Sequence, residues 1–283
     1  MNTFQRLLIV GAGGTGSILA PLAARYCTFA INDKIEVIIA DGDTYESHNA
    51  TRQPVGPGAV GRNKAAVLAE QLQQQGLPCR AHEDFINRSN IHSLITYGTI
   101  VLAAVDNHQS RRMMLERIDE LVAFDSGPIL WISPANSSGT SLDHVRGNTL
   151  WYGSTGHRPG QGPASSGPAG AVPGSDPGGP DQPGGAAPAT SPQAEPPSHI
   201  KAPRGGGRCG MDAREAVKNI AEARGEIPRK GSCALLAPGE PQLLVANVHA
   251  AAWALTVLAA VWEEKMPREM SSVNWSLEGV VYS

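Results

Sequence analysis

The sequence has no basic excess. Its 23 Lys and Arg residues face 26 Asp and Glu, for a formal charge of -3 over 283 residues. No stripe of Lys and Arg stands out, so a nucleic-acid surface has no support. Cysteine is scarce and scattered. Cys27, Cys79, Cys209 and Cys233 form no C-x-x-C pair, so no zinc is expected. The N-terminal "MNTFQRLLIVGAGG" has too short an apolar run for an export leader and breaks straight into glycines. Thiols in a chain without such a leader fit a reducing, cytoplasmic compartment. No internal repeat is visible. The one long apolar run, residues 243–262, approaches the length of a membrane span. Asn247 and His249 interrupt it and alanine dominates it, so the expectation is a helix buried on all sides in an α/β core, with no membrane partner.

Short apolar runs are present in a regular order. "RLLIV" (6–10) reads as a buried strand and "TGSILAPLAARYCTFA" as a helix, with a kink or late start allowed for Pro21. "KIEVIIAD", "CRAHEDF", "TIVLAAVDN" and "GPILWISPAN" read as further strands. "GRNKAAVLAEQLQQQG", ending at Gly76, and "SRRMMLERIDELVAF" read as helices between them. This alternation predicts an α/β, Rossmann-like fold, with a mainly parallel sheet and helices on both faces.

Residues 153–207 are dominated by Gly and Pro and cannot bury enough apolar surface to offset chain entropy. The organisation expected is therefore a nucleotide-binding part over 1–152, a disordered insertion over 153–207, and a C-terminal part over 208–283. That last part would hold a helix at "DAREAVKNIAEARG" and a strand pair around "SSVNWSLEGVVYS" that completes the same sheet. Trp131, Trp253 and Trp262 are expected in the core, and His48 and His249 are given no catalytic role.

"GAGGTG" supplies Gly11, Gly13, Gly14 and Gly16 between a strand and a helix. Glycines there let backbone approach a phosphate at the helix N-terminus. The turn alone says nucleotide and does not say which. Asp41 ends the next strand and suits the two ribose hydroxyls. Asp43, Asn49, Arg52, Gln53 and then Lys64 follow closely. Arg and Lys together suit a polyphosphate whose charge shifts during reaction. Asp106 ends a later strand, where a carboxylate could hold Mg²⁺ against phosphates.

The blocks "LLIVGAGGTGS", "ADGDTYESHNATRQ", "VGRNKA" and "VDNHQSR" together resemble the ThiF/MoeB/HesA family, the ubiquitin-activating-enzyme-like adenylyltransferases. The resemblance implies ATP and Mg²⁺ as cofactors. Asp41 would bind ribose. Asn49, Arg52, Gln53 and Lys64 would handle the phosphates and the attacking carboxylate. Asp106 would carry the metal, with Asn107 and Arg111 shaping the pocket. It implies attack by a C-terminal carboxylate of a small ubiquitin-like or sulfur-carrier protein, or of a peptide, on the α-phosphate of ATP. It also implies a homodimer. In ubiquitin-activating relatives a thiol then takes the acyl group. Cys233, preceded by Arg229 and Lys230, is the candidate here, and its other reading is a small buried residue. Cys209 is a weaker candidate, and Cys27 and Cys79 read as structural.

The sequence departs from the family in lacking paired C-x-x-C motifs and in carrying the long Gly/Pro stretch where relatives have a crossover loop. Some relatives have an Arg-bearing extension that reaches into the partner subunit, whereas this sequence begins almost at the first strand, so either that arginine is missing or another residue replaces it. Two other readings stay open at this point. One is a nicotinamide- or flavin-linked oxidoreductase on the same glycine turn, which gives Arg52, Gln53 and Lys64 no task. The other is a non-enzymatic nucleotide-binding scaffold.

Overall fold

The structure is a computed structural model that describes residues 4–51, 53, 54, 56, 58–124, 126–136, 145–155, 218, 244–276 and 279–282. The strands are β1 (Arg6–Val10), β2 (Glu36–Ala40), β3 (Cys79–His82), β4 (Thr99–Ala103), β5 (Pro128–Asn136), β6 (Arg146–Thr155), β7 (Ser271–Ser276) and β8 (Gly279–Tyr282). The helices are α1 (Gly14–Tyr26), α2 (Lys64–Gln74), α3 (Ile91–Leu94), α4 (His108–Phe124) and α5 (Leu244–Trp262). They surround one sheet of order β3-β2-β1-β4-β5-β6-β7-β8. The first five strands are mutually parallel, and β6, β7 and β8 are antiparallel. The sheet is thus mainly parallel with an antiparallel wing, and the wing is where the C-terminal segment joins it.

Successive strand side chains point to opposite faces, so a sheet covered on both sides needs strands apolar throughout. β1 shows this directly. Leu7 and Ile9 enter a core with Leu19, Ala20, Leu68, Leu72, Ala254 and Val257, from α1, α2 and α5. Leu8 and Val10 enter the opposite core with Ile91, Leu94, Met114, Ile118 and Leu121, from α3 and α4. Trp131 is fully buried in the second core, whereas Trp253 and Trp262 are only partly buried against the first.

Three local expectations change. α1 is not delayed by proline: it starts at Gly14, carries Pro21 inside, and closes with a π-helical turn over Cys27–Ile31. α5 is not buried all round. Ala250, Ala251, Ala254, Val257 and Leu258 face the core, but Leu244, Val245 and Val248 are exposed. The physical reason is its place in the outer layer, where its main neighbours among the described elements are α1, β5 and β6. It remains, among the described residues, the one helix long and apolar enough to cross a membrane. Finally, β6 continues to Thr155, into the stretch expected to be the insertion. From residue 156 that stretch lies outside the described residues, as does the helix expected at "DAREAVKNIAEARG" except for Lys218.

Ile38 is fully buried at the centre of β2. Ile38→Ala is expected to cost about 2–5 kcal/mol of stability, read from the midpoint of urea unfolding.

Candidate nucleotide site

β1 lies between β2 and β4, and the chain visits β2 and β3 on one side before returning to β4 on the other. Diverging connections of this kind open a crevice at the carboxyl ends of the strands. Pairing of Val10 with both Ala40 and Ala103 brings Gly11, Asp41 and Ala104 side by side at that edge. The backbone ladder runs one step further, with Gly11 N donating to Ala40 O and Ala104 N to Val10 O, both at 2.8 Å.

The glycines differ in why they are needed. Gly11 has φ +96°, in the left-handed region, and a side chain there would lie 2.5 Å from Ala104 O. A side chain on Gly16 would collide with the Gly11 carbonyl. Gly13 precedes α1 with an extended backbone and nothing within 4 Å of where a side chain would stand. The first backbone N–H groups of a helix have no partner within it, so this open side of the turn suits an anion.

Asp41 is buried, and both carboxylate oxygens accept backbone hydrogen bonds. Ala12 N reaches Oδ2 at 2.6 Å and Asp43 N reaches Oδ1 at 2.8 Å. Burial pushes its carboxyl upward, and the two backbone donors and the Lys64 charge pull against that without reversing it. Each carboxylate oxygen has a second lone-pair site, so a ribose hydroxyl could still be accepted. Tyr45 is pushed up to about 12 by its own burial and then by Asp41.

Lys64 and Asp43 form an ion pair at 3.3 Å, and their side chains are only 10% and 11% exposed. Asn63 fastens this pair in place. Its Nδ2 donates to the carbonyls of Asp41 and Asp43, and its Oδ1 caps α2 by accepting from Ala66 N. Asn49 is buried, and its Oδ1 accepts from Glu46 N at 2.9 Å. Gln53 is buried too, with N bonded to Asn49 O and Oε1 without a partner among the described residues.

On the other side of the crevice Asp106 is exposed after β4. Asn107 Nδ2 points to its Oδ1 at 3.4 Å, while Asn107 Oδ1 accepts from Ser110 N at 2.8 Å at the start of α4. Arg111 is buried and donates to Val105 O and Pro134 O. Burial lowers its guanidinium to about 10 against the pull of Asp106, so it stays charged at neutral pH. A single exposed carboxylate suits Mg²⁺, which takes one or two carboxylates together with phosphate oxygens. No group of three potential metal ligands occurs among the described residues.

The structure thus brings together the glycine turn, Asp41, Asp43 and Lys64, with Asp106 and Asn107 after the neighbouring strand β4. Arg52, Cys209 and Cys233 lie outside the described residues. Sequence reasoning missed Asn63, although its place before an apolar-periodic segment is an N-cap signal. It also missed Asn247, whose Oδ1 accepts from Thr15 beside the turn and from Asn136, a pair that no local pattern marks. Cys27 and Cys79 are buried, and burial pushes both thiols up to about 12.

A glycine turn at a switch point, braced by a strand-end acid, defines a nucleotide-binding α/β domain of the Rossmann kind. The chain belongs to the ThiF family, whose model matches residues 3–159. No curated protein sequence matches it. Among solved structures, E. coli MccB with succinimide is similar at 14% identity and a TM-score of 0.51, over 99% of this chain and 63% of that one. E. coli MccB with ATP is similar at 14% identity and a TM-score of 0.50, over 99% and 62%. E. coli tRNA N6-threonylcarbamoyladenosine dehydratase, TcdA, has 21% identity and a TM-score of 0.41, over 51% and 57%. The chain spans less than two thirds of the length of these relatives, and the likeness to MccB speaks for the fold alone.

Two outcomes follow from the site's packing. Gly16→Ala is expected to cost about 3 kcal/mol or more through overpacking, and Gly13→Ala about 1 kcal/mol or less as an N-cap change, both read by thermal denaturation. Native protein treated with iodoacetamide at pH 8 is expected to leave Cys27 and Cys79 unmodified, at least about 100-fold slower than a free thiol, as read by peptide mass spectrometry.

Proposed function

We propose that this chain activates a carboxylate by adenylation, using ATP and Mg²⁺. The observation that carries the reading is the joined lattice at the switch point. The Asp41 carboxylate ties the glycine turn to the Asp43 loop, and Lys64 is held buried on Asp43. That arrangement keeps a cation and a set of free N–H groups beside an acid suited to ribose. MccB, whose fold this chain shares, has been solved with ATP.

In this reading Asp41 accepts from the ribose, and the first N–H groups of α1 receive phosphate oxygens. Lys64 has three N–H donors, so its bond to Asp43 leaves others for the polyphosphate. Asn49, Arg52 and Gln53 complete the phosphate and carboxylate contacts. Asp106 would hold Mg²⁺, which would neutralise charge on the phosphates, with Asn107 Nδ2 bonded to that carboxylate. The incoming carboxylate oxygen forms a bond to the α-phosphorus as the bond to the pyrophosphate oxygen breaks, giving an acyl-adenylate and pyrophosphate. Two unit anions at 4 Å repel by about 1 kcal/mol in water and by about 4 at an effective dielectric of 20. Cations in the crevice offset that repulsion, and alignment supplies much of the remaining rate.

The acceptor is the C-terminal carboxylate of a small ubiquitin-like or sulfur-carrier protein, or of a peptide. The protein acts as a cytoplasmic homodimer. Where a thioester follows, Cys233 is the residue that forms it.

Pyrophosphate exchange into ATP, with candidate acceptors added, tests this. Exchange is expected with a free C-terminal carboxylate and not with the amidated form. Asp106→Ala is expected to reduce it at least about 100-fold, and Cys233→Ala to leave it intact. Tight nicotinamide binding without ATP binding would overturn the proposal in favour of an oxidoreductase.

A further inference from the structure

Asn247 comes from α5, remote in sequence from the glycine turn, yet its carboxamide lies directly against Gly14. A side chain on Gly14 would stand 2.8 Å from Asn247 Cγ and would collide with Nδ2. Asn247 Oδ1 accepts two hydrogen bonds, from Thr15 Oγ1 at 3.2 Å and from Asn136 Nδ2 at 2.9 Å. In this arrangement Oδ1 is the accepting end of the amide, and the remaining end is an N–H donor. The side chain is fully buried, and Nδ2 has no hydrogen-bond partner among the described residues. Buried donors without partners are rare in folded proteins, and each calls for a reason. This one is aimed at the first residue of a 13-residue helix, the end where the backbone N–H groups favour an anion.

We infer that Asn247 is a positioning residue for the phosphate turn, and that its unpaired amide N–H finds its partner when the phosphate chain of a nucleoside triphosphate occupies that turn. The inference rests on the adenylation reading and adds to it a residue from the C-terminal segment that no motif marks. Thr15, Asn136 and Asn247 join α1, β5 and α5 at one point. Occupancy of the turn is therefore felt by the elements on both sides of the Gly/Pro-rich stretch. It also gives Gly14 a specific reason to be glycine, since any side chain would displace the carboxamide.

The test uses the full chain and measures affinity for Mg-ATP and for adenosine, each by displacement of a fluorescent ATP analogue. Asn247→Ala is expected to weaken ATP about tenfold, the scale of one lost hydrogen bond to a charged group, and to leave adenosine within about twofold. Asn247→Asp keeps the size and the acceptor oxygen but turns an anion toward the phosphates. It is expected to weaken ATP further and again spare adenosine, and it keeps the test alive should the alanine variant not fold. A purely structural role would weaken both ligands together. Equal losses for both ligands, or unchanged ATP binding in both variants, would overturn the inference and leave the nucleotide reading standing. A wild-type chain that binds neither ligand would overturn both.

Discussion

The site depends on one carboxylate with two obligations. Asp41 accepts the Ala12 N–H with one oxygen and the Asp43 N–H with the other. The first bond fixes the turn that leaves β1, and the second fixes the loop that leaves β2. Neither strand end can move without breaking a charge-assisted bond in a buried place, where the loss is costly. Burial nonetheless raises the Asp41 carboxyl against these two donors. A ligand that adds further donors would relieve that imbalance, which is a physical reason for a hydroxyl-bearing sugar to settle there.

Other residues of the family pattern likewise act on the protein before any ligand arrives. Asp43 and Lys64 neutralise each other in a nearly buried pair, and removing either alone would strand the other charge. Arg111 holds two carbonyls at the ends of β4 and β5. Asn107 caps α4. The same few side chains therefore set the shape of the crevice and its electrostatics. Loss of activity on substituting one of them would not by itself reveal which function had failed.

Much of this was legible in the sequence where the physics is local. Strand and helix alternation, the glycine turn and the helix end at Gly76 each rest on neighbours along the chain, and each appears where the pattern placed it. The blocks from Leu7 to Arg111 carried the family resemblance for the same reason. Bonds formed across the sheet were not legible. That both Asp41 oxygens bind backbone, that Lys64 sits on Asp43, and that Asn247 reaches Gly14 all depend on strand order and register. The half-exposed α5 was misread because an apolar helix in an outer layer has the same composition as one buried all round. The late start allowed for Pro21 does not occur, since one proline removes a single helical donor and the contacts of α1 with α5 hold the segment.

The pairing of β6 with β7 has a bearing on how the protein is made. Trp151 pairs with Ser271, so β6 gains that neighbour only after the segment Ser271–Ser276 has emerged. Until then Ala20, Ala23 and Ala24 of α1 lack the α5 residues that cover them. A nascent chain presents that apolar face to its surroundings throughout synthesis of the intervening stretch. Partly built sheets with open edges are prone to aggregate, so this face of the sheet stays exposed to that hazard until α5 and β7 have been made.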